Sequence, residues 1–316
     1  MIIGHKRQTE YFQKVLARGA LAHAYLFHGP ANVGKRTIAE EIARALLCEK
    51  SKKGFGGCGA CDSCVRASGG AHENVIRLSR EETLVSKKEI RKEIPIEDIR
   101  ELRRVLSFSP QPGIWRVVIV SDVEQLSQEA AHAFLKLLEE PPARTVFFLI
   151  AEHIEYVLLT IRSRTQGIYF SLVLDDAIRG YLMGHAFSRA RADEICAYAA
   201  GRAGVAVGAT QKDDAIFESE KRARGVSHAL VKGAPFFFPY AEKAASDEDI
   251  RLETADSVIR TLRERLLEEA HISAQARLAK QVKNVVRITE AMVRTNVNPR
   301  LSLDLIFFEG SEGMKR

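Results

Sequence analysis

Short apolar runs alternate with amphipathic segments through the first half of the chain. Ala24–His28 is a short apolar run that ends in a glycine turn; the segment Trp115–Ser121 contains the unbroken run Val117–Val120, and Val146–Ala151 is also unbroken. Unbroken runs of this kind are typical of strands that are buried on both faces of a parallel sheet. Apolar residues recur at helical spacing in the segments 8–19, 35–48, 95–108 and 128–140. Strands that alternate with helices predict a doubly wound α/β domain that ends near residue 170.

The second half of the chain has a different pattern. Residues 173–210 predict short helices broken by glycines, and residues 213–296 are almost wholly helical in pattern. The aromatic stretch "GAPFFFPY" at 233–240 interrupts this pattern, and we predict a packed turn there. We predict three domains and a tail: an α/β domain at 1–170 with an insert at 48–64, a small helical domain at 171–211, an all-helical domain at 212–309, and a disordered tail at 310–316.

Composition narrows the class of protein only slightly. The 316 residues are 46% hydrophobic and carry a formal charge of +6, with a pI of about 9.0. This mild basicity permits an anionic partner such as nucleic acid but does not require one. No apolar run follows a basic start, and no stretch is long enough to span a bilayer, so we expect a cytoplasmic protein without a membrane partner.

The stretch "HGPANVGKRT" lies between a predicted strand and a predicted helix and is nearly a phosphate-binding loop. Its pattern requires G-x-x-x-x-G-K followed by Ser or Thr, and Gly29, Gly34 and Lys35 match it. Arg36 occupies the place of the hydroxyl that holds magnesium, and an arginine has no acceptor atom. Thr37 is one residue further on and is turned about 100° around the helix. We therefore expect at most weak ATP binding at this loop.

The strand that should supply an acidic magnesium ligand shows a second departure. Ser121 follows this strand directly, and the first acid is Asp122. Asp122 and Glu124 are equally compatible with capping the next helix. Because both departures fall on magnesium ligands, we predict the architecture of a nucleotide hydrolase without its chemistry.

Four cysteines are spaced C-x9-C-x2-C-x2-C in the insert. Cys48, Cys58, Cys61 and Cys64 can place four thiolates on one ion, which is the ligand set of a closed, structural zinc site. An iron–sulfur cluster is the competing interpretation, but its usual cysteine run does not include a ligand ten residues upstream. Cys196 stands alone and is predicted to be a small core residue.

Several of these motifs together resemble the clamp-loader subunits of bacterial DNA polymerase III. The resemblance lies in "HAYLFHGPANVGKRT" (23–37), the cysteine cluster, "AFLKLLEEPPARTVFFLIAEH" (133–153) and "IRSR" (161–164). It covers residues 1–170 closely and the remainder only in its helical pattern. Within that family, an intact loop and an intact acidic strand mark the ATP-hydrolysing gamma/tau type, and their departure here resembles the delta-prime type.

The resemblance implies an AAA+ module in which an α/β domain and a small helical lid precede a helical collar. Five such subunits would form an open ring joined through their collars. The implied partners are the gamma/tau and delta subunits, with the sliding clamp and primed DNA reached through the assembly. A delta-prime-like member would be a rigid, non-hydrolysing subunit that faces the ATP of a neighbouring subunit.

The resemblance also implies a role for one arginine. The family carries Ser-Arg-Cys in a segment that reads Ser163-Arg164-Thr165 here, and its arginine reaches the ATP of the neighbouring subunit. We therefore expect Arg164 to act as an arginine finger in trans, with Arg162 as the competing candidate. An arginine supplied in this way stabilises the charge of the transition state.

Two other functions remain open from the sequence. In the first, the chain is an active ATPase of the same fold in which Thr37 and Asp122 replace the usual magnesium ligands. In the second, it is a stand-alone zinc-containing nucleic-acid-binding protein. The mild basic charge favours the second, but nothing in the sequence resembles a groove-reading helix or an aromatic stacking platform.

Overall fold

The computed structural model divides the chain into two compact units, Met1–Gly208 and Ala209–Arg316. The structure describes residues 2–50, 55–85, 91–108, 113–210, 225–269, 271–294 and 297–312. This single boundary, at 208/209, does not test the three domains that the sequence predicts, whose boundaries lie at 170/171 and 211/212. The predicted boundary at 211/212 falls within residues 211–224, outside the described residues, so that division stays a prediction.

The first unit is built on a parallel sheet, as predicted. Its five strands lie in the order β2-β3-β4-β1-β5, and every paired neighbour is parallel. The strands are β1 (Ala24–His28), β2 (Val75–Leu78), β3 (Arg116–Val120), β4 (Thr145–Ala151) and β5 (Gln166–Tyr169). β3 and β4 are buried along their whole length because helices cover both faces of the sheet.

Alternate strand residues enter two separate cores, as the pleat of a strand requires. Tyr25 and Phe27 of β1 pack with Phe12 and Ile38 on one face, whereas Leu26 packs with Phe134 on the other. The helices of this unit are α1 (Lys6–Arg18), α2 (Lys35–Leu47), α3 (Asp62–Ser68), α4 (Ile96–Ser107), α5 (Gln128–Glu139), α6 (Leu159–Arg162), α7 (Asp175–Gly184), α8 (Arg189–Ala199) and α9 (Ala203–Ala209). The doubly wound α/β prediction is therefore confirmed.

The described part of the second unit is helical. It contains α10 (225–232), α11 (Ala234–Ala245), α12 (Glu248–Glu268), α13 (Ile272–Arg294) and α14 (Pro299–Ser311). Phe237 of α11 stacks on Phe307 of α14, with ring centroids 5.3 Å apart and planes only 8° from parallel. None of the described helices is both long and apolar enough to cross a membrane.

The prediction of a packed turn at 233–240 was wrong. The segment forms the first half of α11, with Pro235 in its first turn and Pro239 inside the helix. A proline in the first turn removes an N–H that would have no helical partner. The buried ring of Phe237 anchors the segment to the core, so tertiary packing outweighs the penalty of the inner proline.

Other differences concern short elements. β2, β5 and α3 are not evident from apolar periodicity because each spans only four to seven residues. Gly180, Gly204 and Gly208 lie inside helices rather than between them. Helix α14 continues through Gly310 to Ser311, although the sequence predicted a tail from residue 310. Residues 313–316 of that tail lie outside the described residues.

Candidate nucleotide loop and metal centre

The loop between β1 and α2 has the backbone of a phosphate-binding loop. Gly29 has a φ of 133°, and a Cβ at this position would lie 2.0 Å from the carbonyl oxygen of Phe170. Gly34 has a φ of 110° and immediately precedes α2. Only glycine adopts such angles without strain, so the two motif glycines shape the turn that brings the chain to the start of the helix. The strand–loop–helix context that the motif requires is present.

Lys35 is turned back onto its own loop. Only 6% of its surface is exposed. Its Nζ donates to the carbonyl oxygen of Gly29 at 2.5 Å and to that of Pro30 at 2.6 Å. An ammonium group has three N–H donors, and the loop carbonyls therefore engage two of them.

Acidic side chains follow the two strands that lie on one side of this loop, β4 and β3. β4 lies between β1 and β3, so Glu152 emerges beside the loop, with Asp122 and Glu124 beyond it at the same edge of the sheet. Burial lowers the pKa of Lys35 to about 8, while the negative charges of these three carboxylates act to raise it. Burial also raises the pKa of Glu124, whose Oε1 accepts hydrogen bonds from the backbone N–H groups of Glu152 and His153. Protein carboxylates thus already place negative charge near the lysine.

Arg36 points along α2 rather than into the loop. Its Nε lies 3.2 Å from Glu40 Oε1, and its Nη2 lies 2.7 Å from Glu82 Oε1. Arg77 also approaches the same oxygen of Glu40, at 3.4 Å. These ion pairs connect α2 to β2 and to the segment that follows it. Arg36 therefore serves a packing role at the position where the motif places a magnesium-binding hydroxyl.

Asp122 also has a partner from the protein. It lies in the left-handed region with a φ of 55°, directly after Ser121, and its Oδ2 is 3.6 Å from Arg80 Nε. Its side chain makes no capping hydrogen bond to the short 3-10 turn Val123–Gln125, although that turn follows it. Ser127 instead caps α5 by accepting from the N–H of Ala130. For Asp122, the helix-capping interpretation is therefore not what the geometry shows.

A cavity of about 310 Å³ lies in front of the loop. It is lined by His28, Gly29, Pro30, Glu152, His153, Ile154, Glu155 and Tyr169. Burial lowers the pKa of His28, and the positive charges of Arg162 and Lys35 lower it further. Arg162 therefore lies close enough to His28 to act on it electrostatically.

Arg164 lies two residues beyond the end of α6. Its side chain is 36% exposed, and its Nη2 lies 2.7 Å from Oε1 of Glu139, the last residue of α5. Its Nη1 donates to the carbonyl oxygen of Thr160 at 3.0 Å and to Ser163 Oγ at 3.3 Å. No sequence signal indicated Glu139 as the partner, because 25 residues separate the two along the chain.

The four cysteines of the insert converge at the opposite end of α2. Their Sγ atoms all lie within 4.8 Å of one another, and the Sγ atoms of Cys58 and Cys64 are 4.0 Å apart. Tetrahedral zinc–thiolate bonds of about 2.3 Å separate the sulfurs by about 3.8 Å, so this set fits one such ion. Cys48 directly follows α2, and Cys61 directly precedes α3.

Backbone N–H groups already point at these sulfurs. Cys61 N lies 3.3 Å from Cys58 Sγ, and Cys64 N lies 3.4 Å from Cys61 Sγ. Hydrogen bonds from the N–H groups of Ala60 and Cys61 lower the pKa of Cys58 to about 6, whereas burial raises the pKa of Cys64 to about 12. N–H donors stabilise thiolates, so the knuckle around Cys58 favours the anionic form that metals bind. The cluster could therefore hold a metal ion.

The insert is also tied to the rest of the first unit. Ser63 Oγ donates to the carbonyl oxygen of Leu47 at 2.7 Å and lies 2.8 Å from His72 Nε2. His72 Nδ1 accepts from the N–H of Asn74, just before β2. A Cβ on Gly57 would lie 2.8 Å from Cys64 Sγ, so a larger residue there would crowd the cluster. The cysteine centre is thereby connected to both α2 and the edge of the sheet.

Comparisons with known proteins agree with this architecture. A family model described as DNA polymerase III, delta subunit, matches residues 4–173, which is more than half of the chain. The DNA polymerase III subunit delta-prime of Pseudomonas aeruginosa is 36% identical over 157 residues, which cover 50% of this chain and 45% of the relative. The subunit tau of Bacillus subtilis is 31% identical over 179 residues, which cover 57% of this chain and 30% of the relative. The chain thus spans less than half the length of these curated relatives.

One solved structure shares the fold along nearly the whole chain. It is a gamma subunit-related protein of DNA polymerase III from Thermotoga maritima, with a TM-score of 0.52, 18% identity, and coverage of 98% of this chain and 100% of that one. At that identity the match supports the fold alone. The family match rests on the first unit, which holds both the nucleotide loop and the cysteine cluster. The chain therefore belongs to the DNA polymerase III delta-subunit family, as a delta-prime-like clamp-loader protein related to gamma and tau.

Proposed function

We propose that this chain is a non-hydrolysing, delta-prime-type subunit of the DNA polymerase III clamp loader. In this role it binds gamma/tau and delta subunits and helps to load the sliding clamp onto primed DNA. It supplies Arg164 as an arginine finger to the ATP of a neighbouring subunit. Residues 171–211 act as the lid and residues 212–309 as the collar through which the subunits assemble.

The observation that carries this proposal is the engagement of Arg36 by Glu40 and Glu82. The side chain at the magnesium-ligand position is both cationic and held away from the loop. Ser121 replaces the acid at the end of β3, and Asp122 is paired with Arg80. Without magnesium, transfer of the γ-phosphate loses its main source of charge neutralisation. The loop is then a degenerate P-loop, with Gly29, Gly34 and Lys35 retained for their structural role.

Two features of Arg164 support a role in trans. The guanidinium is partly exposed and is directed by Ser163 and Thr160 from the end of α6. Arg162, in contrast, acts on His28 beside this chain's own loop. Arginine fingers are worth roughly 10³–10⁵ in rate in GTPases, so removal of a true finger has a large effect.

We assign the metal of the cysteine cluster as zinc with a structural role. Four thiolates close a tetrahedral shell and leave no position open for a substrate. The insert contributes little apolar surface of its own, so the ion would hold Cys48, Cys58, Cys61 and Cys64 together with α3. An iron–sulfur cluster is the alternative, and the absorption spectrum of the purified protein distinguishes the two.

The test of the proposal is ATP hydrolysis by a reconstituted loader in the presence of clamp and primed DNA. Three changes are compared in this chain alone: Arg164→Ala, Arg162→Ala and Lys35→Ala. We expect Arg164→Ala to lower the rate by about 10²-fold or more, while the other two changes leave it within about twofold. A large loss with Lys35→Ala, and none with Arg164→Ala, would overturn the proposal.

An active ATPase of the gamma/tau type is the second candidate. Lys35 and the two loop glycines are in place, and the similarity to tau supports this reading. The discriminating measurement is magnesium-dependent ATP turnover by the isolated chain. Turnover that Lys35→Ala abolishes would favour the ATPase, with Thr37 and Asp122 as replacement ligands.

A further inference from the structure

The ion pair between Glu139 and Arg164 joins the carboxyl end of α5 to the segment that follows α6. Glu139 is the last residue of α5, and Arg164 follows α6. Carboxylates at the carboxyl end of a helix are unfavourable, because the partial charge of the helix dipole there is also negative. Glu139 and Glu140 both occupy this end and are exposed, so helix stability does not explain the acid at position 139.

The contacts of Arg164 fix its guanidinium from two sides. Nη1 donates to Thr160 and Ser163 of its own segment, whereas Nη2 meets Glu139 at 2.7 Å. The two Nη1 contacts are hydrogen bonds and the Nη2 contact is an ion pair, so both ends of the rigid, planar guanidinium are engaged. Among the contacts of the described residues, those that remain without Glu139 come from residues one and four positions earlier in the chain. Glu139 thus contributes a contact from a distant part of the sequence, 25 residues away.

We propose that Glu139 is a positioning residue that holds Arg164 in the orientation required to meet a phosphate of a neighbouring subunit. This inference rests on the proposed function, because it requires Arg164 to act on a nucleotide in trans. The pair is half-exposed, with 36% of Arg164 and 48% of Glu139 accessible. Exposed ion pairs contribute little to folding stability, so the value of this pair lies in orientation. A pre-oriented finger loses less conformational freedom when the transition state forms.

Charge and orientation predict opposite effects for Glu139→Gln. The carboxylate reduces the positive potential that Arg164 presents to a phosphate, so charge alone predicts a faster partner ATPase after its removal. Loss of orientation predicts a slower one. The sign of the effect therefore decides between a positioning residue and an inhibitory latch.

The experiment is a double-substitution cycle in the reconstituted loader with clamp and primed DNA. We expect Glu139→Gln to lower kcat by about 3- to 10-fold with little change in the KM for ATP. Glu140→Gln removes the same charge one residue away and should change kcat by less than about twofold. In an Arg164→Ala background, Glu139→Gln should have no further effect, because the group that it positions is absent.

The outcomes separate this inference from the function on which it rests. If Arg164→Ala slows hydrolysis but Glu139→Gln behaves like Glu140→Gln, or speeds the reaction, the positioning role is wrong and the finger stands. If Arg164→Ala has no effect, the finger is wrong and the positioning role fails with it. An equal loss from Glu139→Gln in both backgrounds would also overturn the inference. Thermal unfolding of each variant shows whether any loss reflects folding.

Discussion

Helix α2 carries a recognisable motif at each end, and the two motifs have opposite relations to their surroundings. At its start, Lys35 bonds to the carbonyls of its own loop and Arg36 to two glutamates. At its end, Cys48 joins three other cysteines whose sulfurs converge within 4.8 Å. The protein itself has partnered the charged groups at the first end. At the second, the side chains and N–H groups are arranged around a space that suits an ion.

This contrast shows that a motif has to be assessed by the contacts of its side chains in the folded protein as well as by its match to a sequence pattern. The loop matches its pattern at three positions out of four, and its backbone is correctly shaped. The cluster has a less standard spacing, because its first cysteine lies ten residues upstream of the second. Yet the loop lacks magnesium ligands, whereas the cluster has a complete set of four. Ligand completeness therefore says more about chemistry than similarity to a pattern.

The largest effect expected from this comparison is at the cysteine end. Cys61→Ser removes one of four ligands, and we expect loss of bound zinc and a fall in Tm of about 20 °C or more. Structural zinc contributes about 10–16 kcal/mol of apparent binding free energy in finger peptides, and each kcal/mol shifts Tm by about 2–4 °C at this size. Elemental analysis and thermal unfolding with and without a chelator measure both.

Cys196→Ala is the matched control for that change. Cys196 is buried in α8, away from the four clustered cysteines. The substitution should leave the zinc content unchanged and lower Tm by only a few degrees, the cost of a small core truncation. Equal zinc content in Cys61→Ser and in the control would rule out the assigned ligand set.

An intermediate effect is expected at Lys35, and it depends on pH. The folded pKa of about 8 lies below the value of 10.5 that an unburied lysine has. Between these values the unfolded chain binds more protons than the folded one, so the free energy of unfolding should rise with pH. For this one group the rise is at most about 2 kcal/mol between about pH 7.5 and 9.5. Urea unfolding across that range measures it.

Lys35→Met should remove that rise, since the titrating group is gone. Lys14→Met is the control, because Lys14 is an exposed lysine of α1. The control should keep the pH dependence of the wild type. A Lys35→Met variant with an unchanged pH dependence would mean that the lysine is not held in its buried position on the loop carbonyls.

The smallest effect is expected for Arg36→Ala. Its ion pairs with Glu40 and Glu82 are each about 40% exposed. Because such pairs contribute roughly 0.2–1 kcal/mol each, we expect about 1 kcal/mol from the two together. We expect Tm to fall by no more than about 4 °C, and by less at high salt. Arg36→Lys keeps the charge but not the planar guanidinium, so its Tm should lie between those of the wild type and Arg36→Ala. A loss as large as that of Cys61→Ser would erase the contrast between the two ends of α2.

Much of the first unit could be predicted from local sequence pattern. Apolar runs mark the strands β1, β3 and β4, and regular apolar spacing marks the helices α1, α2, α4 and α5. Hydrophobic periodicity is therefore enough to predict each of these elements. The edge strands β2 and β5 are short, and Gln166–Tyr169 of β5 is largely exposed, so the hydrophobic signal is weak. The helix at Ala234–Ala245 is not predictable from local pattern, because its prolines and the preceding Gly233 favour a turn, whereas the ring of Phe237 is held by the distant ring of Phe307.

The chemistry available to this protein can be read from its amino acids alone: which loop positions lack a magnesium ligand, which four cysteines can share an ion, and which arginine follows the family's Ser-Arg pattern. The partners of those groups, in contrast, depend on the folded chain. Glu82 lies 46 residues from Arg36, Arg80 lies 42 residues from Asp122, and Glu139 lies 25 residues from Arg164. Local periodicity carries no information about such pairs, because they form only where the parallel sheet brings distant segments to the same edge or where two helices end side by side.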